Sequence, residues 1–422
     1  MNELGFYKGD ILIPNENLLP LFSVVACDQF TSQPEYWDEV EKKVGDNPSA
    51  YNMVFPEAYL EKLDFTKKIK AINSAIDSYL KKEIFDSYKN SLVYVERTLK
   101  SGAVRRGIVG LIDLECYDYN KGSQSLVRAT EGTVLERIPP RVKIRENAKL
   151  ESPHILILID DVKKTVIEPM GEDKANLNKL YDFDLMMDGG NIKGFLLEDE
   201  EYKKVAKALT KLGDKKAFEK RYNVKDKDVL LYAVGDGNHS LATAKECWNN
   251  LKKKLKKGEI ENHPARYALV ELSNLHDPSL EFEAIHRAVF DVNKKDFLKE
   301  LKAYADKKVE KCPNTPQKVV ILDNGKEKEL IIKAPNHTLA VGSIQNFLDE
   351  YIAEKGGKVD YIHGEDVTRN LSKNGAIGIL LPVMQKSELF KTVIEEGALP
   401  RKTFSMGEAC EKRYYLECRK IK

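Results

Sequence analysis

The most constraining feature of this sequence is a short glycine-containing block between an apolar run and a helical pattern. The run Val229-Leu230-Leu231-Tyr232-Ala233-Val234 is typical of a short buried strand. After the block, apolar residues recur at helical spacing, at Leu241, Ala244, Cys247, Trp248, Leu251 and Leu255. The block therefore lies where a strand turns into a helix. Such a junction presents backbone N–H groups at the positive end of a helix dipole, where phosphate binds well.

Two interpretations of the block are open from spacing alone. One is a plain strand-to-helix turn, in which Gly and Asn serve only the tight geometry. The other is a phosphate-binding site. Four of five successive residues carry side chains that can bind or react: Asp236, Asn238, His239 and Ser240. This density is more than a turn requires, and it favours the binding site.

Length and composition describe a large globular protein. A chain of 422 residues, 42% hydrophobic and 32% charged, can bury a large core in one domain or two coupled lobes. Its 68 basic and 67 acidic residues nearly cancel, which argues against general binding to nucleic acid or to a membrane surface. The six cysteines are scattered without a CxxC pair, so neither a zinc finger nor a disulfide framework is expected. With neither a signal-peptide pattern nor a membrane-spanning run, we expect a cytoplasmic protein.

A second candidate site lies near the N-terminus. A strand predicted over residues 22–26 leads into a polar loop that carries two carboxylates, Asp28 and Glu35. A strand that feeds such a loop is a candidate active site. The alternative is a simple turn, in which Thr31 or Ser32 caps the following helix.

Two further stretches of the sequence contain arginines that are candidates for ligand binding. The stretch 128–149 is rich in arginine, and Arg137 and Arg141 suit forked contacts with carboxylate or phosphate. A solvated basic face is the usual alternative. His286 and Arg287 lie inside an apolar predicted strand, where burial is costly unless each side chain has a partner. A satisfied core histidine and a ligand contact are both open there.

The remaining pattern alternates strands and helices without internal repeats. Two helices are predicted within 57–88. The other predicted strands are 91–97, 105–114, 155–159, 267–272, 318–322, 329–333 and 377–382, and the other predicted helices are 199–212, 295–306, 343–354 and 385–395. We expect a main domain over 1–290, with its core around 229–257, and a C-terminal α/β lobe over 291–422. The two parts could also form one continuous unit.

Several separated motifs occur along the chain in a fixed order: Val24-Val25-Ala26, Asn47-Pro48, Tyr51-Asn52, the glycine block, Ile285-His286-Arg287, residues 360–366 and residues 400–405. In this order they resemble the domain-of-unknown-function 1015 family of bacteria and archaea, over almost the whole length. The central block of that family resembles Asp-Gly-His-His-Arg. Here Asn238 precedes His239, and Ser240 stands where arginine is usual. Lys245, Arg141 or Lys402 would then have to neutralise the phosphate charge.

The same block is similar to the phosphate-binding segment of the ParB/sulfiredoxin superfamily, which includes free serine kinases. This resemblance implies an α/β to α+β fold, with a mixed sheet, a ParB/sulfiredoxin-like phosphate-binding core and an additional C-terminal lobe. It also implies a kinase that converts the hydroxyl of free L-serine to O-phospho-L-serine. The donor would be pyrophosphate, ATP or ADP, with Mg²⁺ bridging its phosphates. The expected partner is therefore a small hydroxylated amino acid, with no nucleic acid and no membrane; the oligomeric state is left open.

This hypothesis gives roles to named residues. The predicted catalytic residues are Asp28, Glu35, Asp236 and His239. The predicted donor-binding residues are Gly235, Gly237, Asn238, Ser240, Lys402 and Ser405. The predicted substrate-binding residues are Arg137, Arg141, His286, Arg287, His363 and Glu365. Asp236 would also help to bind Mg²⁺, while Asp28 or Glu35 would orient or deprotonate the substrate hydroxyl.

Other functions are also compatible with the sequence. The main alternative is a nucleotide- or phosphate-sensing regulatory protein that binds its ligand without turnover. Metal-dependent hydrolysis is weaker, because His239, His286 and His363 lie far apart and lack helical ligand spacing. Neither a P-loop nor the protein-kinase motif set is present.

Overall fold

The computed structural model describes residues 4–60, 63–120, 122–133, 138–309, 312 and 314–422. The chain divides into two units. The first comprises Met1–Ala129, Thr133–Leu280 and Glu408–Lys422; the second comprises Thr130–Gly132 and Glu281–Gly407. The sequence pattern had placed the boundary at residue 290, with all later residues in the C-terminal lobe. The last segment instead belongs with the N-terminal part of the chain.

The first unit is built on a large mixed sheet. The strands of this unit before residue 280 are β1 (Phe6–Tyr7), β2 (Gly9–Pro14), β3 (Val24–Val25), β4 (Phe85–Thr98), β5 (Val104–Asp113), β6 (Tyr117–Asp118), β7 (Val127–Ala129), β8 (Leu150–Glu151), β9 (Leu156–Ile159), β10 (Lys179–Asp184), β11 (Asn191–Leu197), β12 (Tyr232–Asp236) and β13 (Tyr267–Asn274). All of them except β3 and β8 belong to the large sheet. Among the described residues the sheet runs β10-β11-β4-β5-β13-β9-β12-β7-β6, with β1 beside β5 and β2 beside β4. The chain is therefore a mixed α/β protein, as expected.

Helices cover both faces of this sheet. They are α1 (Leu19–Phe22), α2 (Pro34–Val44), α3 (Phe65–Lys81), α4 (Ile138–Arg145), α5 (Glu168–Glu172), α6 (Asp199–Leu212), α7 (Lys215–Tyr222), α8 (Asn238–Lys252) and α9 (Lys257–Ile260). Successive side chains of a strand point to opposite faces. Val93 of β4 accordingly packs in one apolar cluster with Trp37 of α2. Its neighbour Tyr94 packs in another with Leu241 of α8.

The position of β12 in the sheet matters most for the site. β12 pairs with β7 in parallel and with β9 in antiparallel orientation, and Asp236 lies opposite Leu156. β9 in turn runs parallel to β13. Because β9 and β12 are antiparallel, the residues just before β9 lie beside the residues just after β12.

Several predicted elements differ from the observed ones. The region 57–88 contains one long helix, α3, instead of the two predicted helices. The end of the region, from Phe85 onward, is extended and belongs to β4. Phe22 ends α1, and only Val24–Val25 is extended. Neither Thr31 nor Ser32 caps α2: the N-cap is Gln33, which makes no capping side-chain bond.

The second unit has its own sheet and helices. Its strands are β14 (Phe282–Phe290), β15 (Gln317–Asp323), β16 (Lys326–Ile332), β17 (Lys358–His363), β18 (Ile377–Leu380) and β19 (Phe404–Met406), and its helices are α10 (Lys294–Asp306), α11 (Ala340–Lys355), α12 (Glu365–Lys373) and α13 (Lys386–Glu395). The sheet runs β16-β15-β18-β14-β17, with β19 beside β14. Phe297 packs edge-on against Phe347 and Tyr351 at centroid distances of 5.4 and 4.9 Å.

The C-terminal segment completes the first unit with two short strands, β20 (Tyr414–Tyr415) and β21 (Arg419–Lys420). β20 pairs with β3, and β21 pairs with β8. Two buried ion pairs fix the segment: Arg413 Nε lies 2.9 Å from a Glu271 oxygen, and Arg419 Nη1 lies 3.2 Å from a Glu151 oxygen. Buried charges are tolerated when they are paired in this way.

Two sequence-based expectations concern cysteines and membrane segments. All six cysteines are free thiols. Within the described ranges, the helices all fall short of the length and apolar character that crossing a membrane requires.

Candidate functional site

The glycine block forms the junction between β12 and α8. Gly237 adopts a φ of 79°, in the left-handed region that favours glycine. A Cβ at this position would lie 3.1 Å from Cα of Ile155, the residue that precedes β9, so a side chain here would also crowd that backbone. The Gly237 N–H donates to Asp236 Oδ1 at 2.9 Å, and the Gly237 carbonyl accepts from Leu241 N–H at 3.0 Å. Because glycine supplies no capping side chain, α8 begins at an N-cap suited to an external acceptor.

His154 reaches this junction from the neighbouring strand. It lies two residues before β9, and the antiparallel pairing of β9 with β12 carries it to the first turn of α8. Its imidazole is buried. Nε2 lies 3.2 Å from Ser240 Oγ, and Nδ1 lies 2.8 Å from the hydroxyl of Tyr415. The ring therefore links the start of α8 to the C-terminal strand β20.

Asp28 enters the same cluster from the N-terminal loop. The pairing of β3 with β20 places Tyr415 opposite Val24 and holds the loop that follows β3. Asp28 Oδ2 lies 3.8 Å from His154 Nε2. The Cys27 N–H donates to the Tyr415 hydroxyl at 3.2 Å. An N-terminal carboxylate, a mid-chain histidine and a C-terminal tyrosine thus meet at one place.

The surroundings of Asp28 keep its carboxylate ionised. Burial alone would raise its pKa, but His154, the Gln29 amide and Lys412 outweigh burial and lower the pKa below its ordinary value. Gln29 Nε2 donates to Asp28 Oδ1 at 3.0 Å. At neutral pH the site therefore contains a fixed negative charge that can accept a hydrogen bond.

Lys412 supplies a positive charge to this cluster. Its Nζ lies 3.5 Å from Asp236 Oδ2, and the ammonium also acts electrostatically on Asp28. The backbone around it is held by buried Arg97, which donates to the carbonyls of Lys412 and Cys410, each at 2.7 Å. Arg105 donates to the next carbonyl, that of Glu411, at 2.9 Å. These hydrogen bonds hold the backbone of residues 410–412 in place and so position the Lys412 side chain.

An ion pair and a thiol border the cluster on the N-terminal side. Arg141 pairs with Glu57, whose N–H donates to the Cys27 carbonyl at 2.8 Å. Burial, with Asp28 and Glu57 adding to it, raises the pKa of the Cys27 thiol to about 12. The thiol is therefore protonated at neutral pH and is no nucleophile.

Comparison with known proteins identifies the family. A sequence model described as "Protein of unknown function (DUF1015)" matches residues 10–351. The chain belongs to the DUF1015 family. A search of curated proteins gives no significant match.

Some solved structures resemble this DUF1015 protein weakly. One is a free serine kinase in complex with AMP, at 11% identity and a TM-score of 0.36, covering 74% of this chain and 91% of that one. A conserved hypothetical protein from Pyrococcus furiosus has 12% identity and a TM-score of 0.35, covering 74% of this chain and 94% of that one. SbnI with a C-terminal truncation, from Staphylococcus aureus, has 9% identity and a TM-score of 0.35, covering 71% of this chain and 82% of that one. Similarity this low supports no conclusion about activity, which rests on the residues of the chain itself.

The predicted site residues fall into three groups. The first unit contains Asp28, Glu35, Arg141, Gly235, Asp236, Gly237, Asn238, His239 and Ser240. Glu35 is exposed in the first turn of α2. His239 is half-buried in the first turn of α8, and its carbonyl accepts from Thr243 Oγ1 at 2.7 Å. Arg137 lies outside the described residues.

The second unit contains His286, Arg287, His363, Glu365, Lys402 and Ser405. Arg287 is fully buried and donates to Gln345 Oε1 at 3.0 Å and to the Ile285 carbonyl at 2.7 Å. Its guanidinium also lies over the Tyr361 ring at 4.6 Å. Internal groups therefore take up the donors of Arg287. Its role in substrate binding stays a prediction.

Of the other five residues of that group, His286 is buried. The remaining four lie on the surface or near it. His363 and Glu365 are exposed, and Glu365 pairs with Arg369 at 3.1 Å. Lys402 is exposed with a φ of 56°, and Ser405 Oγ donates to the Gly407 carbonyl at 3.4 Å. None of these contacts tests the predicted roles.

Sequence reasoning missed His154, Lys412 and Tyr415. His154 directly precedes a correctly predicted strand, and a histidine after a proline at a strand start was an available signal. Lys412 precedes β20 and Tyr415 lies in it, in a short segment where no local motif distinguishes them. Lys245, which had been considered for charge compensation, instead donates to the Leu114 carbonyl at 2.8 Å.

Proposed function

We propose that this DUF1015 protein is a small-molecule phosphotransferase, a kinase that phosphorylates the hydroxyl of free L-serine or of a similar metabolite. The observation that carries this proposal is the ionised Asp28 carboxylate, 3.8 Å from His154 Nε2, which itself contacts Ser240 in the first turn of α8. Phosphoryl transfer needs one group that orients the attacking hydroxyl and others that compensate phosphate charge. This cluster contains both kinds of group.

Asp28 is the group that would orient the hydroxyl. Its lowered pKa makes it a weak base, but phosphoryl transfer passes through a loose transition state that needs positioning more than early proton removal. The carboxylate accepts the hydroxyl hydrogen bond and takes the proton as the new bond forms. Glu35, the other predicted base, is exposed in the first turn of α2.

The donor phosphates would bind at the start of α8, as in the similar segment of ParB/sulfiredoxin proteins. The helix dipole, the Ser240 hydroxyl and the Lys412 ammonium are all favourable to an anion there. Ser240 occupies the position at which the family usually has arginine. Lys412 supplies a positive charge from the C-terminal segment, 3.5 Å from Asp236.

Mg²⁺ fits this site only as a complex with phosphate. Among the described residues, no group of three or more His, Cys, Asp or Glu side chains could hold a metal ion. Mg²⁺ often binds through one or two carboxylates together with substrate phosphates. Asp236 would contribute one carboxylate here, and the ion would compensate phosphate charge. Pyrophosphate and a nucleotide both satisfy this requirement as donors.

Arg141 is the described candidate for binding the carboxylate of an amino-acid substrate. It pairs with Glu57 at the border of the cluster, and its planar guanidinium suits forked contacts with a carboxylate. The second-unit residues and Arg137 stay predictions and are not required by this proposal.

Phosphorus NMR tests the proposal directly. The protein is incubated with Mg²⁺ and L-serine, and ATP, ADP or pyrophosphate is added in separate samples. An O-phospho-L-serine signal with one donor would establish the kinase and identify its donor. If no donor gives product while the same ligands still raise the melting temperature, the serine-kinase proposal is wrong and a phosphate-sensing role replaces it.

The two candidate bases are separated by a matched pair of variants. Asp28→Asn keeps the shape of the side chain but removes its charge, so the initial rate should fall about 100-fold or more. Glu35→Gln makes the same chemical change at an exposed position, and its rate should match the unmodified protein. The reverse pattern would assign the role to Glu35.

A further inference from the structure

A chain of hydrogen bonds runs through the cluster from a backbone amide to a helix terminus. It consists of the Cys27 N–H, the Tyr415 hydroxyl, the His154 ring and the Ser240 hydroxyl, at successive distances of 3.2, 2.8 and 3.2 Å. We call it the histidine chain. A backbone N–H can only donate, so the first bond has a fixed direction.

The direction of the first bond determines the second. The Tyr415 oxygen accepts from Cys27, and its single proton is then available to His154 Nδ1. Burial raises the pKa of Tyr415 well above its ordinary value, so the hydroxyl keeps this proton. The Cys27 thiol also interacts with the hydroxyl, but sulfur is a weak acceptor and competes poorly with a ring nitrogen.

The second bond determines the tautomer of the neutral His154 ring. When Nδ1 accepts from Tyr415, the ring proton lies on Nε2. Nε2–H then donates to Ser240 Oγ at 3.2 Å, while Asp28 Oδ2 lies farther away at 3.8 Å. In the opposite tautomer Tyr415 would accept both from Cys27 and from the ring, and its buried proton would face only sulfur. Leaving a buried donor without a good acceptor is costly.

We infer that the histidine chain makes Ser240 a hydrogen-bond donor at the start of α8 and so selects a ligand with an acceptor oxygen there, of the phosphate or pyrophosphate class. Ser240 Oγ accepts from His154, so its own proton has to point to another group. The inference rests on the proposed function, because it concerns the same phosphate site. In it Tyr415 and His154 are positioning residues that act through Ser240.

The tautomer gives a test that does not depend on activity. Nitrogen-15 NMR of histidine-labelled protein, recorded over a pH series, should show the neutral His154 ring protonated at Nε2. Tyr415→Phe should move the ring toward a mixture of tautomers. Tyr414→Phe is the matched control: it removes the hydroxyl bond to the Met186 carbonyl, 2.9 Å long, from the same buried strand and should leave the tautomer unchanged. A ring protonated at Nδ1 in the unmodified protein overturns the inference.

The ligand end of the histidine chain is tested with pyrophosphate, by titration calorimetry. Ser240→Ala should weaken pyrophosphate binding about 5-fold or more without changing the His154 tautomer. Thr243→Val removes another hydroxyl of α8, one that donates to the His239 carbonyl, and should leave affinity unchanged. Equal affinities in Ser240→Ala and the unmodified protein would overturn the role of Ser240. These results are readable even if no phosphoserine forms, so failure of the kinase proposal is recognised separately.

Discussion

Gly237 is the residue at which the local geometry of the site is most constrained. A positive φ costs an L-residue about 1–2 kcal/mol, and the nearby Ile155 backbone adds a steric contact at 3.1 Å. Both constraints follow from the tight passage of the chain between β12 and α8. The sequence identifies the glycine but not its contact with Ile155, because that contact depends on which strand pairs with β12.

The first prediction concerns this glycine. Gly237→Ala should lower the free energy of unfolding by about 2 kcal/mol or more, because strain and the Ile155 contact add. The measurement is chemical denaturation. Gly258→Ala is the control, since a Cβ there has nothing within 4 Å, and it should leave stability unchanged or slightly higher. Equal effects at the two positions would show that Gly237 is not constrained as described.

The second prediction concerns pH and His286. Burial, followed by the charge of Arg287, lowers the pKa of His286 from 6.5 to about 4, and Nδ1 accepts the Leu381 N–H at 3.2 Å. Between pH 4 and pH 6.5 the imidazole of His286 is therefore protonated more fully in the unfolded chain than in the folded one. Stability is therefore fully present above pH 6.5 and decreases as the pH falls toward 4. The loss from this group should be about 2 kcal/mol after allowing for solvent screening.

His286→Asn tests this assignment because the asparagine oxygen can still accept the Leu381 N–H but does not titrate. Unfolding is measured at pH 7 and at pH 5 for both proteins. The variant should lose less stability than the unmodified protein over this interval. Identical losses would mean that the imidazole is not held neutral in the folded protein.

At the scale of secondary-structure elements, prediction succeeded where the information is local. The β12–α8 junction and the hairpin of β4 and β5 follow from apolar periodicity and turn residues within short windows. The site around the junction could not be completed in this way. His154 arrives through the pairing of β9 with β12, and Lys412 arrives through the pairing of β3 with β20. Strand pairing between distant segments leaves no periodic signal in either segment.

The third prediction concerns the anchoring of the C-terminal segment. Arg97 donates from three nitrogens to the carbonyls of Gly189, Cys410 and Lys412, at 2.9, 2.7 and 2.7 Å. Arg97→Lys keeps the charge but loses the planar fork, so some of these buried carbonyls lose their donor. Stability should fall by about 3 kcal/mol, and pyrophosphate affinity should fall as Lys412 becomes less fixed.

The control for Arg97→Lys is Arg221→Lys. Arg221 is exposed and donates to one carbonyl, that of Asp160, at 3.0 Å. Surface substitutions of this kind usually change stability by less than about 0.5 kcal/mol. Denaturant unfolding and calorimetry are carried out on both variants. If Arg97→Lys lowers stability but leaves pyrophosphate affinity intact, Lys412 does not contribute to phosphate binding.

At the scale of the whole molecule, the first unit is assembled from three separate stretches of chain. The sequence pattern suggested a main domain over 1–290 followed by a C-terminal lobe or one continuous unit, because a smaller α/β segment begins after residue 290. Glu408–Lys422 is too short to show a pattern of its own. It belongs to the first unit because its buried Arg413 and Arg419 pair with Glu271 and Glu151.

The last prediction follows from this assembly. A chain that ends at Gly407 lacks β20 and β21, so Glu271 loses Arg413 and Glu151 loses Arg419, although Arg105 and Arg145 still lie beside these two carboxylates. Breaking a buried ion pair costs up to about 3–5 kcal/mol, so the first unit should be destabilised. Hydrogen exchange followed by mass spectrometry should show lost protection in β12 and β13 of the first unit. Protection in β14, β15 and β18 of the second unit should persist, because these strands pair with one another.

A chain that lacks only Lys422 is the control, since this residue is exposed and its exchange pattern should match that of the full chain. Simultaneous loss of protection in both units of the shortened chain would show that they unfold as one body. Retained protection in β12 and β13 would show that the C-terminal segment is not needed for the first unit. Only selective loss in the first unit agrees with a fold in which the C-terminal segment both stabilises that unit and carries Lys412 to the proposed phosphate site.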